Sequence, residues 1–326
     1  MVSGVAGVFY DEWDDFARLN ALWSGAILLA ASAVAGIVNH FIAGYLADAS
    51  RYFAPRPPDI DRRNAIRDAG VNLLRNLHKS GDYDRVILAC HSLGSVIGYD
   101  ILRLYWDEAR KPDPSNATPQ PLLAGFDASA KELLRAEPTL AELQKFQELQ
   151  TQLGKELGRA GVNWLITDFV TFGSPLTHAD SLWARSDLEF ARKLDEREFP
   201  ACPPRCDADR RDQTQIRSAF LNADRRWEPH AAAVFGPTRW TNLYFPMTWW
   251  PGGDLVGGPL APLFGPGVRD IPVKLSYSNR RAWWMRKIPV LSHIKYWSRQ
   301  RKYTPPADLP GERKDALRAL RNFLRL

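Results

Sequence analysis

Residues 84–105 read as a strand that becomes a helix with no loop between them. After a Gly81-Asp82 break, Asp84-Arg85-Val86-Ile87-Leu88-Ala89 is a short apolar, β-branched run of the kind buried in a parallel sheet. Leu93, Val96, Ile97, Ile101, Leu104 and Tyr105 then recur at three- and four-residue steps, so a helix begins at once. The hinge is Cys90-His91-Ser92-Leu93-Gly94. A chain that reverses so abruptly holds its hinge residue, Ser92, in a strained backbone conformation and needs small neighbours where strand and helix approach. Gly94 meets that need two residues on, and Gly98 thins the helix further along. The bland alternative is a serine that caps an ordinary helix after a strand.

The stretch "LACHSLGSVIGYD" resembles the α/β-hydrolase superfamily, in particular lipase-like and esterase-like members with a G-H-S-L-G elbow. Cys90 stands where the first glycine is usual, and a small, burial-tolerant cysteine lets the turn close with tighter packing. Three further blocks carry the resemblance: "VTFGSPLTHAD" (170–180) as the next core strand, "RWTNLYFPMTWWPGGDLVGGPL" (239–260) as a W-x-N-x-Y strand followed by an aspartate, and "LSHIKYW" (291–297) as a late histidine block. The resemblance implies a Ser-Asp-His triad in that chain order, here Ser92, Asp254 and His293, with the N–H of Leu93 at the helix start as an oxyanion donor. Such a triad works without metal or cofactor.

Each partner has competitors. Of six histidines, His293 alone follows the last expected strand, "IPVKLSY", where a base must stand to reach the serine. His178 follows a strand end and is the alternative. His91, inside the elbow, is expected to point away from the site. Asp270 is the alternative acid, although it immediately precedes the last strand, and Asp254 is also what a Pro-Gly-Gly-Asp turn would contain.

The remaining chain sets the context. Three cysteines suit a reducing compartment better than a disulfide framework, and Cys202-Pro-Pro-Arg-Cys206 has no second ligand pair to complete a metal site. The net charge of +6 comes from Arg and Lys scattered among acidic residues, with no nucleic-acid motif, and suits an anionic membrane surface, especially around "NRRAWWMRK" and "YWSRQRK". Residues 21–46 contain no Asp, Glu, Lys or Arg. As a helix they would extend ~39 Å at 1.5 Å per residue, beyond the ~30 Å hydrocarbon core. The expectation is an N-terminal segment, 1–50, with a membrane helix, and a cytoplasmic catalytic domain, 51–326, held on that side by Arg51, Arg56, Arg62, Arg63 and Arg67.

Two insertions are expected, at 111–160 and 181–232, either as lids of the kind that cap pockets in this fold or as solvated surface helices. The first contains an amphipathic helix marked by Leu140, Leu143, Phe146, Leu149, Leu153 and Leu157. Before the elbow only "VAGVFY" (5–10) reads as a strand, and no His-Gly pair supplies the usual second oxyanion donor. The expected fold is therefore α/β, with a mostly parallel sheet of about five core strands that lacks N-terminal ones, consistent with an N-terminally truncated chain. The expected function is a membrane-associated serine hydrolase acting on lipid or acyl esters. The alternatives are a catalytically weak or inactive membrane-anchored binding protein of the same fold, and an acyltransferase or thioesterase using the same triad.

Overall fold

The computed structural model describes residues 57–113, 115, 120–135, 137–205, 218–222, 226–247 and 253–273, together with separate positions that include 23–25, 28, 29, 32, 33, 36, 51, 52, 293, 296, 297 and 320. The chain divides into two compact units, Met1–Pro55 and Arg56–Leu326. In the first, the described residues between 23 and 36 are helical, and Trp23, Leu28 and Leu29 are exposed. Most of the apolar stretch 21–46 lies outside the described residues. Among those described, no helix is long and apolar enough to cross a membrane.

The second unit is α/β. Four parallel strands, β1 (Val86–His91), β2 (Ile166–Phe172), β5 (Arg239–Tyr244) and β6 (Arg269–Pro272), lie in the order β1-β2-β5-β6. A separate antiparallel pair, β3 (Ala219–Leu221) and β4 (Trp227–Pro229), makes a small second sheet. About five core strands were expected, and the parallel sheet has four among the described residues; "VAGVFY" lies outside them. The last strand begins at Arg269, two residues earlier than the "IPVKLSY" run suggests, because Asn242 pairs with Asp270 in the parallel ladder.

Sequence period explains the two faces. Phe169 and Trp240 point into an aromatic cluster with Tyr99, Phe235 and Phe264. Their neighbours Val170, Phe172, Leu243, Ile271 and Val273 face the other way, into a core shared with Phe245 and Tyr296. β2, in the middle, is buried at six of seven positions, as a strand covered on both faces must be. β1 is less covered: Val86, Ile87 and Leu88 are half-buried and Ala89 is exposed.

Helix α1 (Pro57–Ser80) packs on α2 (Leu93–Ala109) and is tied to it by Arg67–Asp100 and Arg75–Glu108 ion pairs. At the other end of the strands, Asp168 binds both Arg85 and Arg239 at 2.7 Å and so clamps β1, β2 and β5 together. Helices α3 (Leu122–Leu133) and α4 (Leu140–Arg159) fill the first insertion. A Thr139/Glu142 capping box fixes the start of α4, satisfying two otherwise open backbone donors.

The first insertion does not act as a lid through α4. Gln150 on that helix donates to the carbonyls of Phe235 and Thr238, just before β5, and Gln147 accepts from Arg269 at the start of β6. Helix α4 therefore stands at the N-terminal ends of the strands, opposite the hinge serine. In the second insertion, α5 (Ala179–Trp183) and α6 (Asp187–Asp195) close the aromatic cluster through Trp183 and Phe190, joined by Phe199 four residues beyond α6.

Candidate active site

Ser92 stands at the C-terminal end of β1, where its N–H donates to the Phe172 carbonyl and extends the β1–β2 ladder by one bond (3.0 Å). The backbone then turns sharply, with φ 54° and ψ −134° at Ser92. A side chain in that region costs of order 1–3 kcal/mol, strain that the surrounding structure must offset. The Ser92 hydroxyl makes no capping bond to α2, so it is not the helix cap of the bland reading.

The close approach needed by this turn is made at Gly98, not at Gly94. A Cβ at Gly94 would meet nothing within 4 Å, whereas one at Gly98 would collide with the Cys90 sulfur. The tight contact of Cys90 thus falls at Gly98, one helical turn beyond Gly94. Burial pushes the Cys90 thiol up to about 12, so it stays protonated and acts as packing rather than as a nucleophile.

Two long-range partners complete a hydrogen-bonded line. His293 Nε2 lies 2.7 Å from Ser92 Oγ, and its Nδ1 lies 2.9 and 3.0 Å from the two carboxylate oxygens of Asp254. A carboxylate only accepts, so Nδ1 carries the proton and the Nε2 lone pair faces the serine hydroxyl. His293 and Asp254 are both buried. The structure therefore brings Asp254, beyond β5 in the chain, and His293, beyond β6, to Ser92 at the C-terminal end of β1, the edge where open parallel sheets place their sites.

Tyr296 is the residue whose place in the site the sequence did not reveal. Its hydroxyl donates to Asp254 Oδ2 at 2.9 Å and accepts the Phe245 N–H at 3.0 Å, entirely buried. Val256 N–H serves Asp254 Oδ1 at 2.9 Å. The carboxylate is thus held by a ring, a phenol and a backbone amide. Burial, with the Asp254 charge adding to it, pushes the Tyr296 hydroxyl well above its usual range, which keeps it a donor. Its spacing from His293, three residues along "HIKY", was the only signal in the sequence.

Gly173 explains the glycine of the G-S-P-L block. With φ +51° it crosses directly beneath this line, and a Cβ there would stand 2.6 Å from the Tyr296 ring and 2.7 Å from Asp254 Oδ2. A Cβ at Gly257 would in turn collide with the Gly173 backbone.

His91 does not point away from the site, as expected; it stacks on the His293 ring, with centroids 5.0 Å apart. Strand alternation puts it there: His91 pairs with Phe172 in the β1–β2 ladder and shares its face, which Tyr296 and Trp297 cover, and the sharp turn at Ser92 brings the next side chain to the same histidine. His91 Nε2 donates to the His293 carbonyl at 2.9 Å. Burial lowers its pKa against the pull of the His293 carbonyl that it serves, which favours a neutral ring beside His293.

The alternative residues lie elsewhere. Asp270 accepts from Asn242 and from the N–H groups of Leu260 and Ala261, at the start of α7 (Ala261–Phe264). His178 is exposed at the end of a 3₁₀ turn, Pro175–His178. His78 donates to the Leu74 carbonyl and accepts from Leu165 N–H, and His230 accepts from Ala232 N–H, so both serve the backbone.

Leu93 is the first residue of α2, and its N–H belongs to the opening turn whose donors have no carbonyl within the helix to meet. Among the described residues no strand lies on the outer side of β1. Among them, too, no group of three or more His, Cys, Asp or Glu could hold a metal ion; Cys206 lies outside the described residues, and Cys202 is buried. The chain matches no protein-family model, no curated protein and no solved structure.

Proposed function

We propose that this protein is a membrane-associated serine hydrolase of the α/β-hydrolase type that cleaves lipid or acyl esters. One observation carries the reading: a strained serine at a strand-to-helix turn, bonded through a histidine of defined tautomer to a buried aspartate. In the reaction, Ser92 Oγ attacks the ester carbonyl while its proton passes to His293 Nε2. Asp254 stabilises the imidazolium, and the Leu93 N–H stabilises the developing oxyanion. The imidazolium then protonates the leaving alcohol, and water, deprotonated by the same ring, releases the acid from the acyl-enzyme.

An apolar acyl group is favoured by what borders the line. Leu255, next to Asp254, and Met247 are exposed, and Trp297 lies against Phe172 (4.7 Å) and His91 (6.3 Å) with about half its surface open. Membrane attachment rests on the charge-free stretch 21–46, where Leu28 and Leu29 are exposed on helical backbone. Recovery of the full chain in the membrane fraction, reduced by deleting residues 1–50, is the expected result; a wholly soluble full chain counts against it.

The activity is tested with a fluorophosphonate probe and an activated acyl ester. Wild type is expected to be labelled and to turn over, and Ser92→Ala to lose both by several orders of magnitude with its thermal melt unchanged. No labelling of folded wild type would favour an inactive binding protein of the same fold. Equal turnover in wild type and Ser92→Ala would reject the triad.

A further inference from the structure

We infer that two buried serines outside the triad, Ser95 and Ser174, form a hydroxyl relay that aims the oxyanion donor; the inference rests on the reaction proposed above. The Ser95 hydroxyl lies 2.6 Å from the Ser92 carbonyl oxygen and 2.6 Å from the Ser174 hydroxyl. A carbonyl oxygen only accepts, so the single proton of Ser95 goes to Ser92. Ser174 must then donate to Ser95. Ser174 in turn accepts the Leu176 N–H at 3.2 Å, and both serines are fully buried. The relay runs from the loop after β2, through the first turn of α2, to the carbonyl of the nucleophile.

That carbonyl belongs to the peptide unit whose N–H is the Leu93 donor. In a planar trans peptide the C=O and N–H point in opposite directions. Fixing the oxygen therefore fixes the direction of the N–H. The Ser95 N–H also holds this oxygen, at 2.9 Å, and the Ser92 N–H is held by Phe172 at 3.0 Å. The strained peptide is thus pinned on both sides, with Ser95 and Ser174 as positioning residues that never touch substrate. This role also accounts for serine in the G-S-P-L block: Gly173 makes room beneath the triad, and Ser174 reaches across to the elbow. Preorganised donors matter because the oxyanion gains charge only in the transition state, so their aim appears in kcat.

The test uses the full chain and an activated acyl ester, after wild type has been shown to turn over; wild type that does not turn over counts against the proposed reaction rather than against the relay. Ser95→Ala is expected to lower kcat about tenfold, with KM changed by less than about twofold. Because the triad is intact, the pH profile of kcat/KM stays where it is in wild type. A trifluoromethyl ketone, which forms a tetrahedral oxyanion adduct, loses affinity by the same factor as kcat. Ser174→Ala lowers kcat about threefold, and Ser174→Thr, which keeps the hydroxyl, restores it. The links are in series, so adding Ser174→Ala to Ser95→Ala costs nothing more. The relay is overturned if Ser95→Ala keeps kcat within about twofold of wild type, or if the two losses multiply. Should Ser95→Ala fail to fold, Ser174→Ala against Ser174→Thr decides: equal kcat in the two rejects the inference.

Discussion

Two aspartates of the sheet's C-terminal rim, Asp254 after β5 and Asp270 within β6, are of the same type and both are well supplied with hydrogen bonds. They differ in what stands behind their partners. Asp270 is met by two backbone amides and the Asn242 side chain, none of which passes a proton onward. It caps the loop before α7, and burial raises its pKa against the pull of those three donors. Asp254 is met by an imidazole whose other nitrogen faces a strained serine hydroxyl. The residue type does not decide the role. The presence of a titratable group that connects the carboxylate to a third atom does.

Substitutions should separate the two roles. Asp254→Asn keeps the shape but offers an amide N–H to Nδ1 or favours the wrong tautomer, and kcat should fall by about 10⁴, with stability lower by ~1–3 kcal/mol because one of its donors loses its acceptor. Tyr296→Phe is the milder form of that change. It leaves the Phe245 N–H and Asp254 Oδ2 without their phenol, so kcat should fall about tenfold and stability by about 1–3 kcal/mol. Asp270→Asn should leave kcat within about threefold while lowering stability by a similar ~1–3 kcal/mol. Urea denaturation alongside ester turnover reads all three. If Asp270→Asn silenced turnover and Asp254→Asn did not, the assignment of the acid would be reversed.

The smallest expected effect is on the pH dependence of stability. Burial lowers the pKa of His78 below its ordinary 6.5, and that of His91 likewise. As pH falls through 6.5 the unfolded chain takes up these protons before the folded one. Their contribution is therefore full above about pH 6.5 and is lost as pH drops through the folded values. Asp270 works in the opposite sense, its contribution present below 3.8 and lost as pH rises through its raised pKa. Denaturation midpoints should fall between pH 7 and pH 5, and less steeply in His78→Gln, which keeps an amide oxygen for Leu165 N–H. Identical slopes in the two proteins would remove His78 from this account.

Much of the arrangement was legible in the sequence because it is local or ordered along the chain. The strand-to-helix switch at Ser92 follows from period and β-branching, the strands ending at Phe172 and beginning at Arg239 from the resemblance of their blocks, and the amphipathic run from Leu140 becomes α4. Asp254 and His293 came from the resemblance of their blocks and the triad order it implies. What escaped depends on through-space geometry. His91 keeps the strand face it shares with Phe172 and meets His293 because His293 and Tyr296 cover that face, and the tight contact falls on Gly98 because the Cys90 sulfur reaches it. Tyr296 gave no sign of its bond to a residue 42 positions away. Whether the first insertion is a lid or a surface helix stayed open in the sequence because loop composition does not say which end of the sheet a helix covers.

The Cys90–Gly98 contact makes the two positions a matched pair with a direction of change built in. As the elbow stands, no side chain fits at 98. Once position 90 is glycine the sulfur is gone, and a methyl group at 98 meets the edge of the Phe169 ring at 3.3 Å, a tight contact set against the helix-interior glycine penalty of about 1 kcal/mol that it removes. The order of the two steps matters: alanine at 98 first meets a collision, whereas glycine at 90 first leaves only a small void. A route from this elbow to the all-glycine form is therefore open in one sequence of steps and closed in the other.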